Sequence, residues 1–234
     1  MAAIAEVARP AAAIRACIFD AYGTLFDVNA AARAMAGELG ADWQPLANAW
    51  RSKQLNYSWL RSLMGAHADF WQVTADALDF ALDERGLNRP DLRRRLLDLY
   101  YNLACYPEVP DMLRRLKQAG LITGILSNGA PAMLQAACAS SGIAGLIDHC
   151  MSVEEVGIYK PDPRVYRLVT ERLNLPAQAV AFHSSNGWDI HAGKRAGFYA
   201  IWINRTGQPA ERLPNPPDVT LDSLDDVPAI LGAA

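Results

Sequence analysis

The sequence predicts an α/β protein: a Rossmann-like parallel sheet with helices on both faces, and a helical-bundle cap subdomain inserted into it. Three observations carry the prediction. Six short apolar runs recur along the 234 residues, and amphipathic stretches of helical period separate most of them. The alternation is suspended between Val28 and about Tyr101, where helix follows helix.

Taken in order, the Ala-rich opening MAAIAEVARPAAAI has no basic leading region and is broken by Glu6, Arg9 and Pro10. It suits neither a signal peptide nor a membrane span, so residues 1–13 read as a flexible extension and the protein as cytoplasmic. The first apolar run, Ile14–Phe19, stops at Asp20. The helical insert, 28–101, follows with breaks at Gly37–Asp42, Gly65–Ala66 and Gly86–Pro90. The runs Leu121–Leu126, Ile147–Ser152, Ala179–Phe182, Tyr199–Ile203 and Val219–Leu221 then resume the alternation. Residues 14–27 and 102–234 are thus expected to form the core, a size suited to one domain with an insert.

A net charge of −3 with dispersed Lys and Arg gives no basic stripe for nucleic acid. The cysteines at 17, 105, 138 and 150 form no C-x-x-C pair and no metal-ligand spacing with the four histidines. They read as small buried residues in a reducing compartment.

In open α/β sheets, ligands bind beyond the carboxyl ends of the strands. The residues there are Asp20-Ala21-Tyr22-Gly23-Thr24, Ser127-Asn128-Gly129 and Ser184-Ser185-Asn186-Gly187-Trp188-Asp189, with Lys160-Pro161-Asp162 ahead of a later helix. Each alone is ordinary turn or N-cap chemistry. Together, on one sheet edge, they point to a site, and an insert leaving from that edge is placed to act as a lid.

The order of these motifs resembles that of the haloacid dehalogenase superfamily. The words FDAYGTLFDV, WRSKQLNYSWLRSLM, ILSNGAP, YKPDPRVY and SSNGWD, spread from residue 16 to about 207, resemble its type II members, the L-2-haloacid dehalogenases. Most of the superfamily are phosphatases in which a second aspartate, two residues after the nucleophile, protonates an alkoxide and magnesium neutralises phosphate. Here that second position is Tyr22, and Ser184-Ser185 replaces Gly-Asp. A halide leaves unprotonated, so the acid is dispensable. Magnesium wants a cluster of hard oxygen ligands, and the motifs offer only Asp20 and Asp189 as carboxylates. A metal-free, cofactor-free site is expected.

The resemblance implies that Asp20 is a nucleophile attacking a saturated carbon. Lys160 would lie beside it, where an ammonium favours the ionised form of a carboxylate. Arg51 and Asn128 would receive the halide, the guanidinium stabilising charge that develops only in the transition state. Ser127, with backbone N–H groups near Asn128 and the helix starting at Pro131, would bind the substrate carboxylate. Thr24, Tyr166, Ser184 and Asn186 match positions that hold the nucleophile, the lysine or the hydrolytic water, and Asp189 would orient Lys160 and help deprotonate that water. Ala21, Tyr22, Leu55, Phe70 and Trp188 match the wall around the substrate's side chain. The implied partners are a small 2-haloacid, water and halide, with a homodimer formed through the insert.

Two other readings share the architecture: a magnesium-dependent phosphatase, opposed by Tyr22 and Ser184-Ser185, and a catalytically idle binding protein, opposed by the completeness of the set. Trp50, Tyr57, Trp59 and Trp71 read as bundle core. His183 stands where the family shows a small apolar residue, which bears on substrate range. Halogen preference, fluoroacetate included, is left open.

Overall fold

The computed structural model describes residue 10 and residues 12–233. The extension predicted over residues 1–13 lies outside the described residues but for Pro10, Ala12 and Ala13.

Six strands form one sheet: β1 Ala16–Phe19, β2 Ile122–Ser127, β3 His149–Ser152, β4 Val180–Ser184, β5 Tyr199–Ile203 and β6 Val219–Leu221. Their order is β3-β2-β1-β4-β5-β6, and every neighbouring pair is parallel. The strands β1, β4 and β5 are buried along their whole length. Burial on both faces is why they read as continuous apolar runs and not as alternating ones. All six predicted runs are strands, with edges moved by a few residues. The first starts at Ala16, although the Arg15 N–H already bonds to the Ala179 carbonyl at 2.8 Å. Strand order reverses between β1 and β4, and the carboxyl ends at such a reversal, here beside Asp20 and Ser184, are where open α/β sheets bind ligands.

Between β1 and β2 lie α1 Ala30–Ala34, α2 Ala36–Leu39, α3 Trp43–Met64, α4 Phe70–Glu84, α5 Pro90–Tyr101 and α6 Val109–Gln118. After β2 come α7 Pro131–Ser140, α8 Pro163–Leu173, α9 Gly187–Arg195 and α10 Val227–Ile230. The break expected at Gly37–Asp42 is instead helical: Gly37 lies inside α2, and residues 40–42 form a 3₁₀ turn leading straight into α3. Helices α3 and α4 pack on each other.

Helix α3 buries Leu46, Trp50, Gln54 and Ser58, a spacing of four that marks one face. Arg51 and Leu55 fall on the adjoining stripe. The α4 N-cap, Asp69, accepts from the Gln72 N–H at 2.8 Å and fixes Phe70 as the first helical residue.

The segments into and out of α1–α5 run side by side. Phe26 bridges Cys105, the Asp27 N–H bonds to the Ala104 carbonyl at 3.2 Å, and the Tyr106 N–H bonds to the Leu25 carbonyl at 2.9 Å. The helices therefore leave and rejoin the sheet at one point, next to the turn that follows Asp20.

Candidate active site

Asp20 directly follows β1, and its N–H bonds to the His183 carbonyl at 2.8 Å, so the neighbouring strand fixes its backbone. The turn after it is held by the Ala21 carbonyl, which accepts from the Leu25 and Phe26 N–H groups at 2.9 and 3.0 Å. Gly23 takes φ +93° there, a region unfavourable to other residues, and an added Cβ would stand 3.1 Å from Ser185 Oγ.

Both oxygens of Asp20 are occupied. Oδ1 accepts from Lys160 Nζ at 3.1 Å, and Oδ2 accepts from Asn186 Nδ2 at 2.9 Å and from the Thr24 hydroxyl at 3.2 Å. Thr24 has one proton to give, and the Ser185 N–H, at 2.8 Å, supplies the bond that Thr24 Oγ1 accepts. Ser185, noted in the sequence only for what it replaces, thus orients Thr24.

Lys160 is 1% exposed and its ammonium bridges two carboxylates, Asp20 and, at 2.9 Å, Asp189. Burial alone would lower the lysine pKa, but Asp189 and Asp20 outweigh it and hold the group above its ordinary value. Asp189, 0% exposed in the first turn of α9, also accepts from the Tyr166 hydroxyl at 2.6 Å. Burial lifts its carboxyl above the usual range against the pull of Lys160 and Tyr166. Burial, with Asp189 beside it, pushes Tyr166 well up, so it remains a phenol and a donor.

Asn128 Oδ1 accepts from the Lys160 N–H at 2.9 Å. A backbone N–H can only donate, so the Asn128 amide polarity is fixed and its NH₂ faces away from Lys160. Ser127 Oγ accepts from the Gly129 N–H at 3.0 Å, which leaves its own proton for another acceptor. Gly129 admits no side chain: a Cβ would lie 2.6 Å from Tyr22 Cε2.

Arg51 reaches in from α3. Its Nη2 donates to the Tyr22 carbonyl and to Asn186 Oδ1, both at 3.3 Å. With Asp20, Asp189, Lys160 and Arg51 gathered, the formal charges cancel. Tyr22 packs against Phe70 and Tyr100, each with ring centroids 5.7 Å away, and Trp188 meets Trp59 edge-on at 5.4 Å.

The structure thus brings Asp20, Thr24, Arg51, Asn128, Lys160, Tyr166, Asn186 and Asp189 into one bonded set, with Ala21, Tyr22 and Phe70 beside it. Leu55 lies half-buried one turn beyond Arg51. Ser184 lies buried at the end of β4. Its hydroxyl accepts from the Asn186 N–H at 3.1 Å, and no bond to Asp20 or Lys160 is made among the described residues. Trp59, expected in the bundle core, is instead half-buried and meets Trp188. His183 Nδ1 bonds to the Ile18 carbonyl at 3.1 Å, and its ring stacks on Phe19 at 4.4 Å. Burial pushes its pKa down to about 4, so it brings bulk and no charge. Gln54, Thr74 and Tyr100 were missed. A glutamine three residues after Arg51 on a helix was the available signal.

Among the described residues, no three His, Cys, Asp or Glu side chains are grouped as metal ligands. The space between Asp20 and Asp189 is filled by the Lys160 ammonium, so these residues do not fit a divalent cation.

The model of the haloacid dehalogenase-like hydrolase family matches residues 14–197. The chain is 48% identical over 219 residues to (S)-2-haloacid dehalogenase 1 of Pseudomonas sp. (strain CBS-3), covering 93% of this chain and 96% of that protein. It is similar to a dehalogenase crystal structure with a TM-score of 0.91 at 44% identity, over 93% of this chain and 96% of that one. It is also similar to L-2-haloacid dehalogenase from Xanthobacter autotrophicus with chloropropionic acid covalently bound, with a TM-score of 0.87 at 36% identity, over 94% of this chain and 98% of that one.

Proposed function

The chain belongs to the haloacid dehalogenase-like hydrolases and acts on carbon–halide bonds, and from that premise we propose that it is an (S)-2-haloacid dehalogenase. It converts short L-2-haloalkanoic acids to D-2-hydroxy acids with inversion, through an ester on Asp20 and without a metal. The observation that carries this reading is the Lys160 ammonium bridging Asp20 and Asp189, with a buried aromatic, Tyr22, where a phosphatase needs its acid.

In the first step an Asp20 oxygen attacks carbon 2 on the side opposite the halogen. The carbon–halogen bond breaks and the halide takes its electron pair toward Arg51 and the Asn128 NH₂. Lys160, Asn186 and Thr24 hold the carboxylate in line. The substrate carboxylate, a third negative charge, is received by the free Ser127 proton and the backbone N–H groups opening α7. In the second step water attacks the ester's carbonyl carbon and gives a proton to Asp189, whose lifted pKa makes it the better base. The bond from that carbon to the substrate oxygen breaks, that oxygen takes the remaining proton of the attacking water as the hydroxy acid leaves, Asp20 returns as a carboxylate, and Asp189 gives its proton to solvent. Carbon 2 is inverted once.

Residues 28–101 act as a cap that delivers Arg51 and Phe70 to the sheet edge. Self-association through this cap is supported by the exposure of Leu60, Leu63 and Met64 at the end of α3, with Leu63 84% exposed. A cytoplasmic setting is supported by four free thiols; no helix among the described residues is long and apolar enough to cross a membrane.

The test is chloride release from L- and D-2-chloropropionate, by wild type and Asp20→Asn, with EDTA present. L-selective release that EDTA spares and the variant abolishes is the expected result; release from neither enantiomer rejects the proposal. Fluoride release from fluoroacetate, where chloroacetate turns over, decides whether the C–F bond is included.

A further inference from the structure

One fully buried polar side chain beside the site has no part in the chemistry above. Gln54 is 0% exposed on α3, and a buried amide is tolerated only when its donors and acceptor are matched. Its Oε1 accepts from Arg51 Nη1 at 2.8 Å, and its Nε2 donates to Thr74 Oγ1 at 2.7 Å and to the Tyr100 hydroxyl at 3.1 Å.

The direction of this amide follows from its neighbours. The Thr74 hydroxyl has one proton and gives it to the Phe70 carbonyl at 2.6 Å. Thr74 can therefore only accept from Gln54, which must present its NH₂ there and its carbonyl to Arg51. Arg51 only donates, so Asn186 turns Oδ1 to it and Nδ2 to Asp20 Oδ2 at 2.9 Å. From the α4 backbone to the Asp20 carboxylate, every bond has its donor and acceptor assigned.

We propose that Gln54 is a positioning residue for halide departure, an inference that rests on the function proposed above. The guanidinium is gripped from behind by a 2.8 Å bond to Gln54 and held on the site side by two longer contacts of 3.3 Å. Nη2 can then leave the Tyr22 carbonyl and Asn186 for the departing halide while Nη1 keeps the plane fixed. A donor aimed in advance at developing charge needs no reorganisation during the step. Glutamine suits the task because it is a neutral acceptor, whereas a carboxylate there would cancel the charge that Arg51 brings.

The experiment uses Gln54→Leu in the full chain, with Thr74→Val as a second variant that removes the acceptor setting the amide's direction. Single-turnover halide release is measured with L-2-chloropropionate and L-2-bromopropionate, alongside KM and thermal melting. Loss of a directly acting donor costs about 10²–10³-fold, so an indirect loss through Gln54 is expected to lower the chloride step about 10–100-fold. The bromide step falls several-fold less, since the better leaving group needs less stabilisation, and KM stays within about twofold. Thr74→Val shows the same chloride-over-bromide bias at smaller size. An equal fall for both halides, or a raised KM with an unchanged rate, overturns the proposal, and Thr74→Val decides alone if Gln54→Leu does not fold. A wild type that releases neither halide overturns the underlying function and this inference with it.

Discussion

Replacing Lys160 by methionine keeps an unbranched chain in a buried slot and removes only the charge. The ammonium lies 3.1 Å from Asp20 and 2.9 Å from Asp189. Lys160 is 1%, Asp189 0% and Asp20 6% exposed, so water cannot take over its role. Breaking a buried ion pair by removing one partner costs about 3–5 kcal/mol. In a chain of this length each kcal/mol lowers the melting temperature by about 2–4 °C, so Lys160→Met is expected to melt about 10 °C below wild type at pH 7.

The pH dependence of that deficit has a definite sign. Burial already lifts the Asp189 carboxyl, and loss of the ammonium lifts it further. A group whose pKa is higher in the folded state than in the unfolded state makes the folded state bind more protons across the interval. The variant therefore regains stability relative to wild type as pH falls through that interval, and the gap narrows on acidification. Calorimetric melting of both proteins at pH 7 and pH 5 measures this. A deficit below about 2 °C at pH 7, or a gap that widens on acidification, refutes the account of a charge-balanced site.

Two further predictions follow from the same geometry. Tyr166→Phe removes the 2.6 Å donor from Asp189, which raises the Asp189 pKa; the acid limb of the rate profile moves to higher pH and kcat falls about tenfold, in line with losing a hydrogen bond to a charged group. An unmoved limb, read from halide release across pH, contradicts the role given to Asp189. His183, held neutral by burial with a pKa pushed from 6.5 down to about 4, is unprotonated in the native chain and protonated in the unfolded chain between those values. Its contribution is present above pH 6.5 and is lost as pH falls; at 1.36 kcal/mol per unit it removes about 2 kcal/mol by pH 5. His183→Gln is expected to show a correspondingly flatter pH dependence in urea unfolding, and identical slopes count against it.

The sheet was legible because its strands are buried on both faces and written as apolar runs. The run of helices between the first two strands was legible because the sequence period changes there to that of a helix. Asp20, Asn186 and Asp189 were legible as polar residues just beyond strand ends, and Lys160 as a lysine just ahead of a helix. Ser184 was legible by its position at the same edge, but its bond to the Asn186 N–H was not, because it depends on how the loop after β4 turns. Trp59 was read as core because an aromatic on a helix usually is, and only the approach of α3 to the first turn of α9 reveals its contact with Trp188. Gln54 carried a weak signal, since its importance lies in the direction of an amide that Thr74 fixes from another helix. The turn at Gly37–Asp42 was misread because glycine marks loops on average, whereas here it sits inside a short helix continuous with the next.

The central claim is that an Asp20 oxygen, and not water, forms the new bond to carbon 2. It is tested most directly by one turnover of L-2-chloropropionate with enzyme in excess in ¹⁸O-labelled water, followed by mass spectrometry of the Asp20 peptide and of the lactate. The account predicts label in the Asp20 carboxyl and unlabelled D-lactate from that first turnover. Label in the lactate with none in Asp20 would mean that water attacks the substrate carbon directly, and the covalent mechanism would have to be abandoned.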